Sequence, residues 1–195
     1  MTARHVMWTD LGGPGLEHLK LTQDELGYLA DGMYVGRNQE TEPYRLHYEI
    51  RLDATWQMTA LWLRVLDGPE GAGELALTVD GKSNWRNGEG ESIPALEGCH
   101  EVDIFATPFT NTLPIRRLGL AAGESAEISV AYIDAPTMEP RPVRQRYQCI
   151  RPFGNESGLY RYEPLFRAGS AVEIAVDSDG LVIDYPNSFR RIWPE

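Results

Sequence analysis

Carboxylates, arginines and tyrosines crowd three stretches of this chain, and side chains of those types bind or cleave polar organic molecules. The first stretch, from Leu96 to Arg117, reads LEGCHEVDIFATPFTNTLPIRR. In it Asp103 lies opposite in pleat to Val102 and Ile104, and Arg116 or Arg117 is its natural ion-pair partner. Such a pair either fixes a crossover or clamps an anion or a sugar. Thr107, Thr110, Asn111 and Thr112 supply groups that suit sugar hydroxyls, and equally suit turns beside Pro108 and Pro114. The second stretch is Tyr160-Arg161-Tyr162-Glu163, where alternation puts both tyrosines on one face. The third is Asp184-Tyr185-Pro186 followed by Arg190-Arg191. Aromatics beside arginines and carboxylates can hold a sugar ring, or simply line the wet end of a barrel. The candidate ligand-binding residues are Asp103, Thr107, Asn111, Arg116, Arg117, Tyr160, Tyr162, Asp184, Tyr185 and Arg190.

Signals for catalysis are sparse. His5, His18, His47 and His100 are scattered, with no HxH or HExxH spacing, and there is no GxSxG elbow. Neither a metal set nor a cofactor loop is read, and no catalytic residue is assigned. Asp103 with Glu163 or Asp184 could form a glycosidase-like pair if they stand about 5–9.5 Å apart. Cys99 and Cys149 make neither a disulfide framework nor a metal quartet. They read as buried thiols, with a bridge between them as the alternative.

Composition narrows the partners. The 195 residues include 29 acidic and 18 basic side chains, a formal charge of −11. That field repels phosphate backbones and anionic bilayers, so neither nucleic acid nor electrostatic membrane docking is expected. No apolar run approaches the roughly 20 residues of a membrane helix, and Met1 to Trp8 lacks a signal-peptide core. The expectation is a soluble, cytoplasmic protein.

The elements that must position these residues are strands. Tyr44, Leu46, Tyr48, Ile50 and Leu52 alternate with Arg45, His47, Glu49, Arg51 and Asp53, a half-exposed antiparallel strand. Similar runs recur at 57–66, 75–79, 128–132, 143–150, 159–165, 172–176 and 181–185. Gly27 and Asp31-Gly32 read as hairpin turns, Ala106 extends the strand begun at Val102, and 188–193 reads as a basic, aromatic tail. No long helical period appears, so the chain reads as all-β.

The two halves echo one another at an offset of 99 residues, which aligns Gly81 with Gly180, Tyr48 with Tyr147 and Leu66 with Leu165. The clearest echo is ELALTVDG against EIAVDSDG. Residues 1–195 are therefore expected to form one β domain with an internal repeat over roughly 16–95 and 115–193; two merely similar hairpins are the simpler reading. A doubled antiparallel sheet has an edge problem that closure solves. The expected architecture is a closed antiparallel β-barrel or a spiral β-roll from two duplicated halves.

LEGCHEVDIFATPFTNTLPIRRLGL, QRYQCI, YRYE and VDSDGLVIDYPNSFRR, with DGMYVG and YRLHYEIRLD, resemble a bacterial glycolipid-binding family over nearly the whole chain. Glu97, His100 and Glu101 stand where that family suggests Asp, an apolar residue and Asp. The resemblance implies a β-barrel or β-roll like that of periplasmic lipoprotein carriers, and brings no set of catalytic residues. The expected function is non-catalytic binding of a glycolipid or similar amphipathic molecule. Its acyl part would lie against Leu46, Tyr48, Leu61, Leu63, Ile104 and Tyr147, in an open apolar cavity of several hundred Å3. The alternatives are a hydrolase of a carbohydrate or lipid conjugate using paired carboxylates, and a structural scaffold.

Overall fold

The computed structural model describes residues 3–37, 42–68, 72–135, 137–166 and 169–194. Its strands are β1 (Ala3–Asp10), β2 (Gly15–Asp24), β3 (Gly27–Arg37), β4 (Pro43–Leu52), β5 (Met58–Asp67), β6 (Gly73–Val79) and β7 (Trp85–Asn87). After β8 (Cys99–Ile104) comes one α-helix, α1 (Phe109–Leu118). The chain continues through β9 (Ser125–Ile133), β10 (Arg141–Arg151), β11 (Gly158–Pro164), β12 (Val172–Val176), β13 (Val182–Tyr185) and β14 (Phe189–Trp193).

All 14 strands join one sheet in the order β7-β6-β5-β4-β3-β2-β1-β14-β13-β12-β11-β10-β9-β8. Every pairing is antiparallel except β8 with β9, the parallel pair that α1 connects. β1 and β14 meet in the middle of the sheet, with Asp10 opposite Phe189. The sheet is not closed, which corrects the expected closed barrel. Its edge strands β7 and β8 are linked by a side chain instead, Trp85 Nε1 donating to the Cys99 carbonyl at 2.8 Å, and in the loop before β7 Ser83 Oγ lies 2.9 Å from His100 Nδ1. The outer edge of β7 is covered by the chain's own return, in which Asn87 N donates to the Glu91 carbonyl and Ile93 N to the Trp85 carbonyl, both at 2.9 Å, so it does not invite another strand.

Alternation sorts the sheet as the sequence suggests. Leu46, Tyr48, Ile50, Leu61, Leu63 and Tyr147 are buried, while their neighbours in sequence face outward. Two readings need correction. Asp31-Gly32 is no turn; β3 runs straight through it. Gly32 is there because a Cβ would sit 2.1 Å from the Tyr48 ring on the neighbouring strand. Residues 188–193 are no free tail either, since β14 pairs with β1 and β13. Cys99 and Cys149 are both free, buried thiols. Among the described residues, no helix is long and apolar enough to cross a membrane.

Candidate functional site

The site is built around α1, where a strand and turns were expected. Thr107 Oγ1 accepts from Phe109 N at 3.0 Å and so satisfies an otherwise orphaned helix-start N–H. Gly119, at φ 54°, ends the helix in the left-handed conformation that glycine adopts without penalty. Ala106, read as strand, lies in the turn before the helix. Every residue from Phe109 to Ile115 is buried, including Thr110, Asn111 and Thr112. A helix enclosed on all sides must satisfy its polar side chains against the sheet; one buried carboxyl group, Glu17, meets Thr107 in the turn that leads into the helix, and a second, Asp103, meets Thr110 within it.

Glu17, on β2, has no exposed surface. Its Oε1 accepts from Tyr48 OH at 2.5 Å and from Thr107 Oγ1 at 2.6 Å. Its Oε2 has no partner. Burial dominates over the two hydrogen bonds and pushes the carboxyl up to about 8, so the group is mostly neutral at pH 7. Tyr34 donates to Asp10 Oδ2 at 2.8 Å nearby, and burial pushes Tyr34, Tyr44 and Tyr48 well above the usual phenol range.

Asp103, on β8, is the second carboxyl. Gln145 Nε2 donates to Oδ2 at 2.6 Å and Thr110 Oγ1 to Oδ1 at 3.3 Å. The residue keeps a little exposed surface, yet protein atoms surround the carboxyl, and that burial raises it to about 6. Beside it Asn111 Nδ2 donates to Tyr147 OH at 2.9 Å. The Tyr147 ring lies 5.2 Å from Tyr162, and Tyr162 lies 5.9 Å from Tyr185. Burial first, and then the charge of Asp103, raises all three phenols.

At the C-terminal end of α1 lies an aromatic corner. The Arg116 guanidinium stacks 3.8 Å from the Trp56 ring centroid and 5.5 Å from that of Phe153, and it donates to the Asp179 carbonyl. The Tyr28 ring packs on Trp56 at 4.6 Å. Trp56 Nε1 and Arg116 Nε are buried N–H donors without acceptors. Trp56 also holds φ 67°, a costly conformation for so large a side chain.

The ten candidates divide. Asp103, Asn111, Tyr162 and Tyr185 converge on one buried network, and Thr107 joins the Glu17 cluster. Arg116 stands at the aromatic corner, with Tyr160 behind Phe153 at 6.5 Å between rings. Arg117 and Arg190 are elsewhere: Arg117 binds Glu101 through two bonds of 2.7 and 2.8 Å, and Arg190 Nε binds Asp184 at 2.9 Å. Asp103 is thus not the ion-pair partner of Arg116 or Arg117; the inward pair at the crossover is Glu101 with Arg117. Of the carboxylates read as partners for Asp103, Glu163 is held by Arg146 at 2.8 Å and Asp184 by Arg190. Sequence reasoning missed Glu17, although it shares its pleat with Leu19 and Leu21. It also missed Gln145, which shares its pleat with Val143 and Tyr147.

The expected lumen is occupied by α1. A depression of 430 Å3 opens at the surface beside His100, Arg117, Glu127 and Arg144, and another of 310 Å3 beside Arg146, Arg161 and Glu163. Charged side chains line both, and neither is an enclosed apolar cavity. Among the described residues, no three His, Cys, Asp or Glu side chains are grouped to hold a metal ion.

Comparison with known proteins places this architecture. A DUF1089 family protein from Pseudomonas aeruginosa, known from its crystal structure, is 41% identical, with 91% of this chain and 92% of that one covered and a TM-score of 0.80. A beta-barrel-like protein of domain of unknown function DUF1849 from Brucella abortus superposes with a TM-score of 0.53 at 11% identity, over 97% of this chain and 93% of that one, a likeness of fold alone. No functionally curated protein matches the chain. The sequence profile described as "Putative glycolipid-binding" matches residues 5–191, and the chain belongs to that family.

Proposed function

We propose that this protein binds an amphipathic, glycolipid-like molecule without altering it chemically. The observation that carries the reading is the aromatic corner with its two unanswered donors. Buried N–H groups are nearly always paired, so Trp56 Nε1 and Arg116 Nε mark a place for acceptor oxygens. A sugar hydroxyl or phosphate oxygen of a head group supplies them. The acyl part takes the place of the first turns of α1, Phe109 to Leu113, along the inner face against Leu46, Leu61 and Leu63, while Arg116 in the last turn stays at the corner. The seat of α1 favours exchange, because it presents Thr110, Asn111 and Thr112 to the sheet, and Thr112 Oγ1 is unpaired. An acyl chain gains about 0.8 kcal/mol for each methylene it buries. Asp103, Tyr162 and Tyr185, which stay on the sheet, then face the ligand, while Asn111 moves with the helix and leaves Tyr147 OH free to meet it. Residues 1–195 act in this reading as one domain with a repeat over 16–95 and 115–193. Its support is the ladder register, in which Tyr48 faces Leu63 as Tyr147 faces Tyr162.

The test is native mass spectrometry after incubation with a bacterial total lipid extract, followed by organic extraction of the complex. A lipid-sized adduct that weakens in Arg116→Ala and Trp56→Phe supports the reading. A clean mass at saturating lipid, or an adduct indifferent to both substitutions, overturns it.

A further inference from the structure

Three of the four histidines, His5, His18 and His47, scattered in sequence, are gathered by the sheet. On the outer face, cross-strand register sets Trp193 beside Met7, Met7 beside His18, His18 beside Met33, and Met33 beside His47. These residues form one row across five adjacent strands, with Val6, Trp8, Leu19 and Tyr34 buried on the opposite face. Diagonal to that row, His5 Nδ1 lies 2.9 Å from His18 Nε2, the two rings meeting edge to edge with centroids 5.2 Å apart and planes inclined by 13°. Directly opposed residues on neighbouring strands hold their Cβ atoms about 4.5–5.5 Å apart. The Met7 and Met33 thioethers therefore flank the His18 imidazole within reach.

The geometry points to a surface site for a soft monovalent metal ion, Cu(I) or Ag(I), formed by His5, His18, Met7 and Met33. Thioether sulfur selects soft ions, and imidazole binds them as well. Among the described residues no three His, Cys, Asp or Glu side chains are grouped to hold a hard or borderline divalent ion, and the neighbouring His47 is held by Asp31 at 2.9 Å. The facing nitrogens of His5 and His18 need to open by about 1 Å to admit an ion at metal–nitrogen distances of about 2.0 Å. Both side chains are exposed, so nothing packed against them resists that opening. Each imidazole offers the ion the lone pair of the nitrogen that faces its partner, with its N–H on the other ring nitrogen. The methionines, with three rotatable bonds each, close in from either side. Trp193, 58% exposed and opposite Met7, lies where a bound cation meets an aromatic face.

The site is independent of the ligand reading above. The probe is silver(I) nitrate titrated in nitrate buffer into the full chain carrying Cys99→Ala and Cys149→Ala, which removes the two free thiols that would compete for Ag(I), followed by tryptophan fluorescence and by calorimetry, with zinc(II) in parallel. Binding of one Ag(I) per chain is expected, with Trp193 emission quenched and that quenching absent in Trp193→Phe. His18→Ala should weaken Ag(I) on the order of 100-fold, and Met7→Leu with Met33→Leu on the order of 10-fold, while zinc(II) affinity is unmoved by the leucines. All of these side chains lie on the outer face, and an unchanged circular dichroism spectrum confirms each variant's fold. Absence of stoichiometric Ag(I) binding, indifference to His18→Ala, or zinc(II) bound more tightly than Ag(I) would each overturn the site.

Discussion

Glu17 and Asp103 face the same helix from different strands, and they are held differently. Glu17 meets only hydroxyls, has one oxygen unpaired and no exposed surface. Asp103 meets an amide and a hydroxyl, with both oxygens used and a little surface left. Their proton affinities follow, about 8 against about 6. Glu101, almost as buried at 2% exposure, is held differently again, by a two-bond contact with Arg117. Burial among uncharged partners raises a carboxyl, and the fewer bonds its oxygens receive the higher it goes. The seat of α1 therefore rests on two groups whose charge state changes with pH.

The bluntest way to break the comparison is to turn Glu101 into a lone buried charge. Arg117→Ala should cost about 3–5 kcal/mol in urea unfolding, since the surviving carboxylate is left without its partner. Gly32→Ala comes next. A Cβ there lands 2.1 Å from the Tyr48 ring, so the ring must move, its bond to Glu17 is lost, and stability falls by about 2–3 kcal/mol. Glu17→Gln tests the proton itself. A folded carboxyl raised from 4.5 to about 8 contributes stability that is complete below about pH 4.5 and is lost as pH rises through about 8. The parent protein should therefore lose a few kcal/mol between pH 5 and 8.5, and urea melts of Glu17→Gln should lack that slope. Asp103→Asn is the smallest change. Its window runs only from 3.8 to about 6, so the variant should match the parent's slope above pH 7 and flatten it below. Equal slopes for the two variants would end the distinction between the sites.

Most strands were legible, because a strand with one wet face writes its pleat into the sequence, as β4 does from Tyr44 to Leu52. The helix was not legible for the converse reason. Phe109 to Ile115 are buried on every side, so no polar face marks the 3.6-residue period, and Pro114 reads as a break. Gly32 looked like a turn because its purpose, room for Tyr48, lies on another strand. Glu17 was legible in principle, being a charged residue in step with Leu19 and Leu21. The His5–His18 contact was not, since it depends on the register of β1 with β2. The 99-residue offset keeps register between β4–β5 and β10–β11, but Tyr48 faces Gly32 whereas Tyr147 faces Ala126.

The meeting of β1 and β14 has a consequence for how the sheet assembles. Two local meanders, β1 to β7 and β9 to β14, can each form through neighbouring hairpins. The weld between them pairs Met7 with Trp193 and Asp10 with Phe189, almost the greatest sequence separation the chain allows. Loop-closure entropy makes such a contact slow. The two halves therefore gain their order early and separately, and the pairing that makes them one sheet comes last.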